Sequence, residues 1–137
     1  MIRFVSTRDK NGPSCSVSEA LLKGLAPDGG LYVPSVMPKR PDDFTLKEGV
    51  AYAMYQAIRP FFEGDELEND LLEICQSAFN FPVPMKDLGD GKVLLELIYG
   101  PTSAFKDFGA RFLAFSMEKL LERRGEEKTI LVATRSE

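Results

Sequence analysis

The sequence predicts an α/β fold: a mainly helical first part with small strands, then the first parallel βαβ unit of a larger sheet. Three observations carry this reading. Apolar residues recur at helical spacing between prolines through residues 1–91. A nearly continuous apolar run, Val93 to Tyr99, follows Lys92 and suits a strand covered on both faces. One long helical stretch then leads to a second apolar run, Thr129 to Ala133, and a strand–helix–strand order in one sheet is parallel and right-handed.

The elements follow in order. Ile2 to Ser6 alternates as a short strand, and Asp9 to Ser14 is turn-like. Ser16 and Glu19 have capping-box spacing and open a short helix that Gly24 stops. A glycine-bearing loop, Ala26 to Gly30, leads to a strand fragment at Leu31 to Val33. Pro34, Pro38 and Pro41 make an extended connector. Thr45 and Glu48 repeat the capping-box spacing ahead of a helix that Pro60 ends. A further helix runs from about Asp65 to Phe79, with Leu67, Leu71, Ile74, Cys75 and Ala78 on one face, and Pro82 and Pro84 break it. After the loop that starts at Gly100, a helix spans about Phe105 to Arg124, and Gly125 to Lys128 is a loop.

Composition narrows the chemistry. The chain has 137 residues, 44% of them hydrophobic and 28% charged, which suits one globular domain or slightly more. Its net charge of −4 and pI near 5.0 argue against nucleic acid or an anionic membrane as the main partner. There is no histidine, so Ser-His-Asp and Cys-His catalysis and histidine-ligated metal sites are excluded, and no metal is expected. Cys15 and Cys75 form no CxxC and read as reduced thiols, with Cys75 in a helix core. No apolar run approaches the roughly 18 residues that span a bilayer. The N-terminus lacks the apolar region of a signal peptide, so a cytoplasmic location is the expectation.

The segment Gly100-Pro101-Thr102-Ser103-Ala104-Phe105-Lys106-Asp107-Phe108-Gly109 holds most of the functional information. Ligands of open α/β sheets bind beyond the carboxyl ends of strands, and this loop leaves such an end. Lys106 falls in the first helical turn, where the positive end of the helix dipole favours the neutral amine. Phe105 and Phe108 could add desolvation in the same direction, and a part-neutral amine is a nucleophile. Position alone favours an ordinary solvated lysine over a catalytic one. Asp107 suits the helix start and could bind backbone donors there, and Thr102 or Ser103 is the candidate N-cap. Phe108, Phe112 and Phe115 have core spacing, while Gly109 and Ala110 permit close approach of a flat ring or a strand.

Leu95 to Phe112 resembles the pattern LELxHGPTxAFKDFGxRF of the threonine synthase family. Val5 to Arg8, Gly24 to Pro34, Phe62 to Asp65 and Ala78-Phe79 also look familial. The likeness covers the chain up to Thr134. It implies that Lys106 is the catalytic lysine, joined to pyridoxal 5'-phosphate as a Schiff base, with Thr102, Ser103, Phe105 and Asp107 in support. The implied reaction, by a pyridoxal-phosphate-dependent carbon–oxygen lyase, converts O-phospho-L-homoserine and water to L-threonine and phosphate. In that chemistry the cofactor ring is the electron sink and the freed lysine moves protons.

Two departures stand out. Tyr99 replaces the family's usual histidine before Gly-Pro-Thr, and Arg135-Ser136-Glu137 stands where the family continues Ser-Gly-Asp-Thr-Gly. The likeness therefore divides the chain into an N-terminal domain, residues 1–91, and the beginning of a truncated pyridoxal-phosphate catalytic domain, residues 92–137. An inactive fragment is the expectation, with the oligomeric state left open. The alternatives are a related phospholyase acting on another phosphorylated amino compound and a non-catalytic interaction module derived from the family.

Overall fold

The computed structural model describes residues 1–131. Its elements are β1 (Phe4–Ser6), α1 (Val17–Lys23), β2 (Tyr32–Pro34), α2 (Val50–Phe62), a 3₁₀ turn (Glu68–Asp70), α3 (Leu71–Ala78), β3 (Met85–Gly89), β4 (Lys92–Leu95) and α4 (Lys106–Arg124). The α/β class is as expected. The strands form two separate antiparallel pairs, β1 with β2 and β3 with β4.

Local chemistry sets the first elements. The Ser16 hydroxyl accepts from the Glu19 amide at 3.1 Å, and the Glu19 carboxylate accepts from the Ser16 amide at 2.9 Å. That backbone bond holds the Glu19 carboxyl below its ordinary range. Gly24 ends α1 at φ 73°, a conformation other residues rarely take. β1 and β2 pair through Phe4–Pro34, Val5–Val33 and Ser6–Tyr32. Above them Asp28 accepts from the Ser6 hydroxyl at 2.7 Å and from the Gly30 amide at 2.9 Å.

Two helix starts differ from expectation. Thr45 does not open α2, which begins after Gly49 at φ 87° with no side-chain cap. The amide of the buried Gln56 side chain takes both the Thr45 N–H (3.0 Å) and its carbonyl (2.9 Å). The Thr45 hydroxyl closes a local turn on Lys47, the competition that favours loop over helix. Pro60 does not end α2 either. It lies in the last turn, where its missing N–H forfeits one bond, and the buried Phe62 holds the final residues. Asp65 likewise starts no α-helix. Its carboxylate turns inward to the buried Ser18, accepting from that residue's amide at 3.2 Å and from its hydroxyl, and α3 follows only after the 3₁₀ turn.

The core joins α1, α2, α3 and α4 around Phe62, Leu67, Leu71, Ile74, Cys75, Phe79 and Leu120. Cys75 is fully buried, and desolvation pushes its thiol up to about 12. Both cysteines are free, and Cys15 is buried as well. Phe108, Phe112 and Phe115 pack against this core, as their spacing predicts. α4 ends on Gly125 in the left-handed conformation, φ 62°.

The expected parallel βαβ unit is not present among the described residues. β4 ends at Leu95 instead of Tyr99 and pairs antiparallel with β3, an element the sequence reading missed. Asp90 and Gly91 connect them at φ 51° and 72°, the positive values a two-residue hairpin turn requires. Every residue of both strands is exposed, so the apolar run at Val93 to Leu95 is not covered by the other described residues. Thr129, Ile130 and Leu131 form no strand, and the rest of that expected strand lies outside the described residues. No helix among the described residues is long and apolar enough to cross a membrane.

Candidate active site

The loop from Gly100 to Phe105 is a tight approach to α4. The Ser103 amide donates to the Gly100 carbonyl at 3.0 Å, and the Asp107 amide to the Ala104 carbonyl at 3.1 Å. Ser103 sits at φ 56°, left-handed although it is not glycine. Neither Thr102 nor Ser103 acts as the expected N-cap, because Phe105 precedes the first helical residue and its side chain caps nothing. The helix supplies the bond instead. Asp107 reaches back so that Oδ2 accepts the Thr102 amide at 2.9 Å and Oδ1 accepts the Thr102 hydroxyl at 2.8 Å. This meets the expectation that Asp107 binds backbone donors near the helix start.

Gly100 makes that reach possible. A Cβ at this position would stand 2.3 Å from Asp107 Oδ2 and 2.8 Å from its Cβ. Asp107 is only 5% exposed in the resulting niche.

Lys106 is the first residue of α4 and is exposed. None of the ion pairs among the described residues engages it. The desolvation expected from Phe105 and Phe108 is absent. Phe105 is 66% exposed, and Phe108 turns into the core, 5.9 Å from the Phe79 ring and 5.0 Å from Phe81. Gly109 lies one turn beyond Lys106 on the same side, and a methyl group there would meet nothing within 4 Å.

The start of α4 is held by a residue the sequence reading overlooked. Arg111 donates to the carbonyls of Ala78 and Ser77 at 2.8 Å and to Asn80 Oδ1 at 3.0 Å. Its guanidinium also lies 5.6 Å from the centre of the Phe115 ring and 5.8 Å from Phe81. Farther along, Lys119 pairs with Glu73 at 2.8 Å and Arg123 with Asp70. Only the position of Arg111 inside the motif pointed to it. Tyr99 donates to Glu96 at 3.2 Å, and the Glu96 charge pushes its phenol above the usual range.

Comparison with known proteins decides the family. The profile of the threonine synthase N terminus matches residues 3–79. The chain belongs to that threonine synthase family. The threonine synthase of Pseudomonas aeruginosa is 35% identical over 97% of this chain and 30% of its own length. That of Corynebacterium glutamicum is 36% identical over 96% of this chain and 30% of its own. Among solved structures, the PLP-bound threonine synthase from Brucella melitensis superposes with a TM-score of 0.80 at 33% identity, over 92% of this chain and 29% of that one. The yeast threonine synthase gives 0.68 at 29% identity, over 89% and 27%. The chain thus spans about three-tenths of the length of the curated threonine synthases it matches.

Proposed function

We propose that this chain supplies the opening segment and the cofactor lysine of a threonine synthase acting on O-phospho-L-homoserine. The observation that carries the reading is the place of Lys106: an exposed amine at the start of α4, inside the Gly100–Gly109 segment, in a chain of the threonine synthase family. The residues present suit pyridoxal phosphate. Lys106 offers an amine that no ion pair among the described residues occupies, and the open space at Gly109 leaves clearance for a flat ring beside it.

When bound, the cofactor supplies an electron sink for charge developing at the substrate Cα. Lys106 Nζ would hold the cofactor at its aldehyde carbon, and its amine would move protons at the substrate Cα and Cβ. Arg111 and the Phe79–Phe108 contact keep the helix that bears this amine fixed on α3. Residues 1–91 frame the site and residues 92–137 open the catalytic part. The free thiols of Cys15 and Cys75 suit a reducing, cytoplasmic compartment.

The test is turnover by the purified full-length gene product. Threonine and phosphate released in equal amounts from phosphohomoserine, and lost in Lys106→Ala, support the reading. Full turnover by Lys106→Ala, or turnover confined to other phosphorylated amino compounds, sinks it.

A further inference from the structure

We infer that Asp107 is a positioning residue for Lys106, and that Gly100 and Thr102 form the seat it locks into. The inference rests on the function proposed for Lys106 and adds how its backbone is held. Lys106 is the first helical residue and follows a loop with few other restraints: Phe105 and Ser103 are exposed, and no side chain caps the helix. Without a further tie, the loop and the first turn would fray, as helix ends do.

Asp107 supplies that tie. Its two carboxylate oxygens accept the amide and the hydroxyl of Thr102, five residues back, and thereby close a ring of backbone around Lys106. The carboxylate is nearly sealed from water, so little solvent competes for either bond. Its seat exists only because residue 100 lacks a Cβ, which would otherwise overlap Oδ2. The same closure accompanies the left-handed backbone of Ser103, a conformation that persists only when its surroundings impose it. The ring fixes where the Lys106 Cα stands and so where its amine can reach.

Geometry and charge make different predictions. An asparagine at position 107 can accept the Thr102 amide through Oδ1 and donate to the Thr102 hydroxyl through its NH₂, so it keeps the ring without the charge. Asp107→Ala breaks both bonds. Thr102→Val breaks only the hydroxyl bond.

The experiment is amide exchange of the purified full-length gene product, read at residues 100–105, together with its steady-state kinetics on phosphohomoserine. In Asp107→Ala, exchange at Thr102 should rise at least about tenfold while amides of Ser116 to Leu120 keep their protection. Asp107→Asn should stay within about threefold of the parent, with Thr102→Val between them. In parallel kcat should fall about 100-fold in Asp107→Ala, with KM little changed, and recover in Asp107→Asn. Unchanged exchange at Thr102 in Asp107→Ala overturns the inference, as does an Asp107→Asn variant as impaired as the alanine. If the exchange pattern holds but no variant, parent included, turns over phosphohomoserine, the functional reading fails and the ring remains as a structural feature only.

Discussion

Arg111 Nε donates to the carbonyl oxygen of Ala78 at 2.8 Å, so a side chain from α4 closes the carboxyl end of α3. The last carbonyls of a helix have no partner within it and carry partial negative charge. A guanidinium fork meets both needs with two parallel bonds, here to Ala78 and Ser77. Arg111→Ala should therefore destabilise the protein by about 2–3 kcal/mol in urea denaturation. Arg111→Lys should recover less than half of that, because an ammonium cannot form the fork. A lysine variant as stable as the parent would show that charge alone suffices.

Gly30 and Gly109 should respond in opposite ways to alanine. A Cβ on Gly30 would stand 2.1 Å from Ser6 Oγ, which is buried and bonded to Asp28. Gly30→Ala must open that bond and should lower stability by about 2 kcal/mol.

Gly109 lies within α4 beside open space. Gly109→Ala should raise stability by about 0.5–1 kcal/mol through helix propensity alone. If the space beside Lys106 receives a ring, the same change should raise the apparent Kd for pyridoxal phosphate, measured by absorbance titration. A variant that is both more stable and unchanged in cofactor affinity would show that the clearance serves no ligand.

Cys75 should make the protein sensitive to alkali. Its thiol is pushed up to about 12 in the folded state by burial. The unfolded chain ionises it nearer the ordinary cysteine value, so the folded state holds the extra proton at high pH. The stabilisation is whole below the unfolded value and is lost as pH rises toward 12. The slope from this one group is about 1.4 kcal/mol per pH unit across that window. Denaturation midpoints between pH 8 and 10.5 should fall more steeply for the parent than for Cys75→Ala. Equal slopes would refute the account.

Local signals in the sequence were read more successfully than distant ones. Ser16 and Glu19 satisfy each other within one turn, and Gly24 and Gly125 act on their own backbone, so α1 and the end of α4 were legible. The same spacing at Thr45 misled because Gln56, eleven residues away, takes the polar groups of the threonine backbone. The β3–β4 hairpin was missed for another reason. The apolar run at Val93 reports the surroundings a strand favours and says nothing of its partner, while the decisive Asp90-Gly91 turn is a two-residue signal. At the site, the place of Lys106 at the helix start was legible. The exposure of Phe105, the purpose of Gly100 and the anchoring by Arg111 are matters of distance, and only coordinates supply them.

The β3–β4 ribbon has a practical consequence. Met85, Leu88, Val93 and Leu95 all meet solvent on a strand pair whose two edges are unpaired among the described residues, and such ribbons invite pairing between molecules. At millimolar concentration the 137-residue polypeptide should therefore self-associate, with light scattering that grows with concentration, and a lysine at Val93 should suppress it without loosening the helical core.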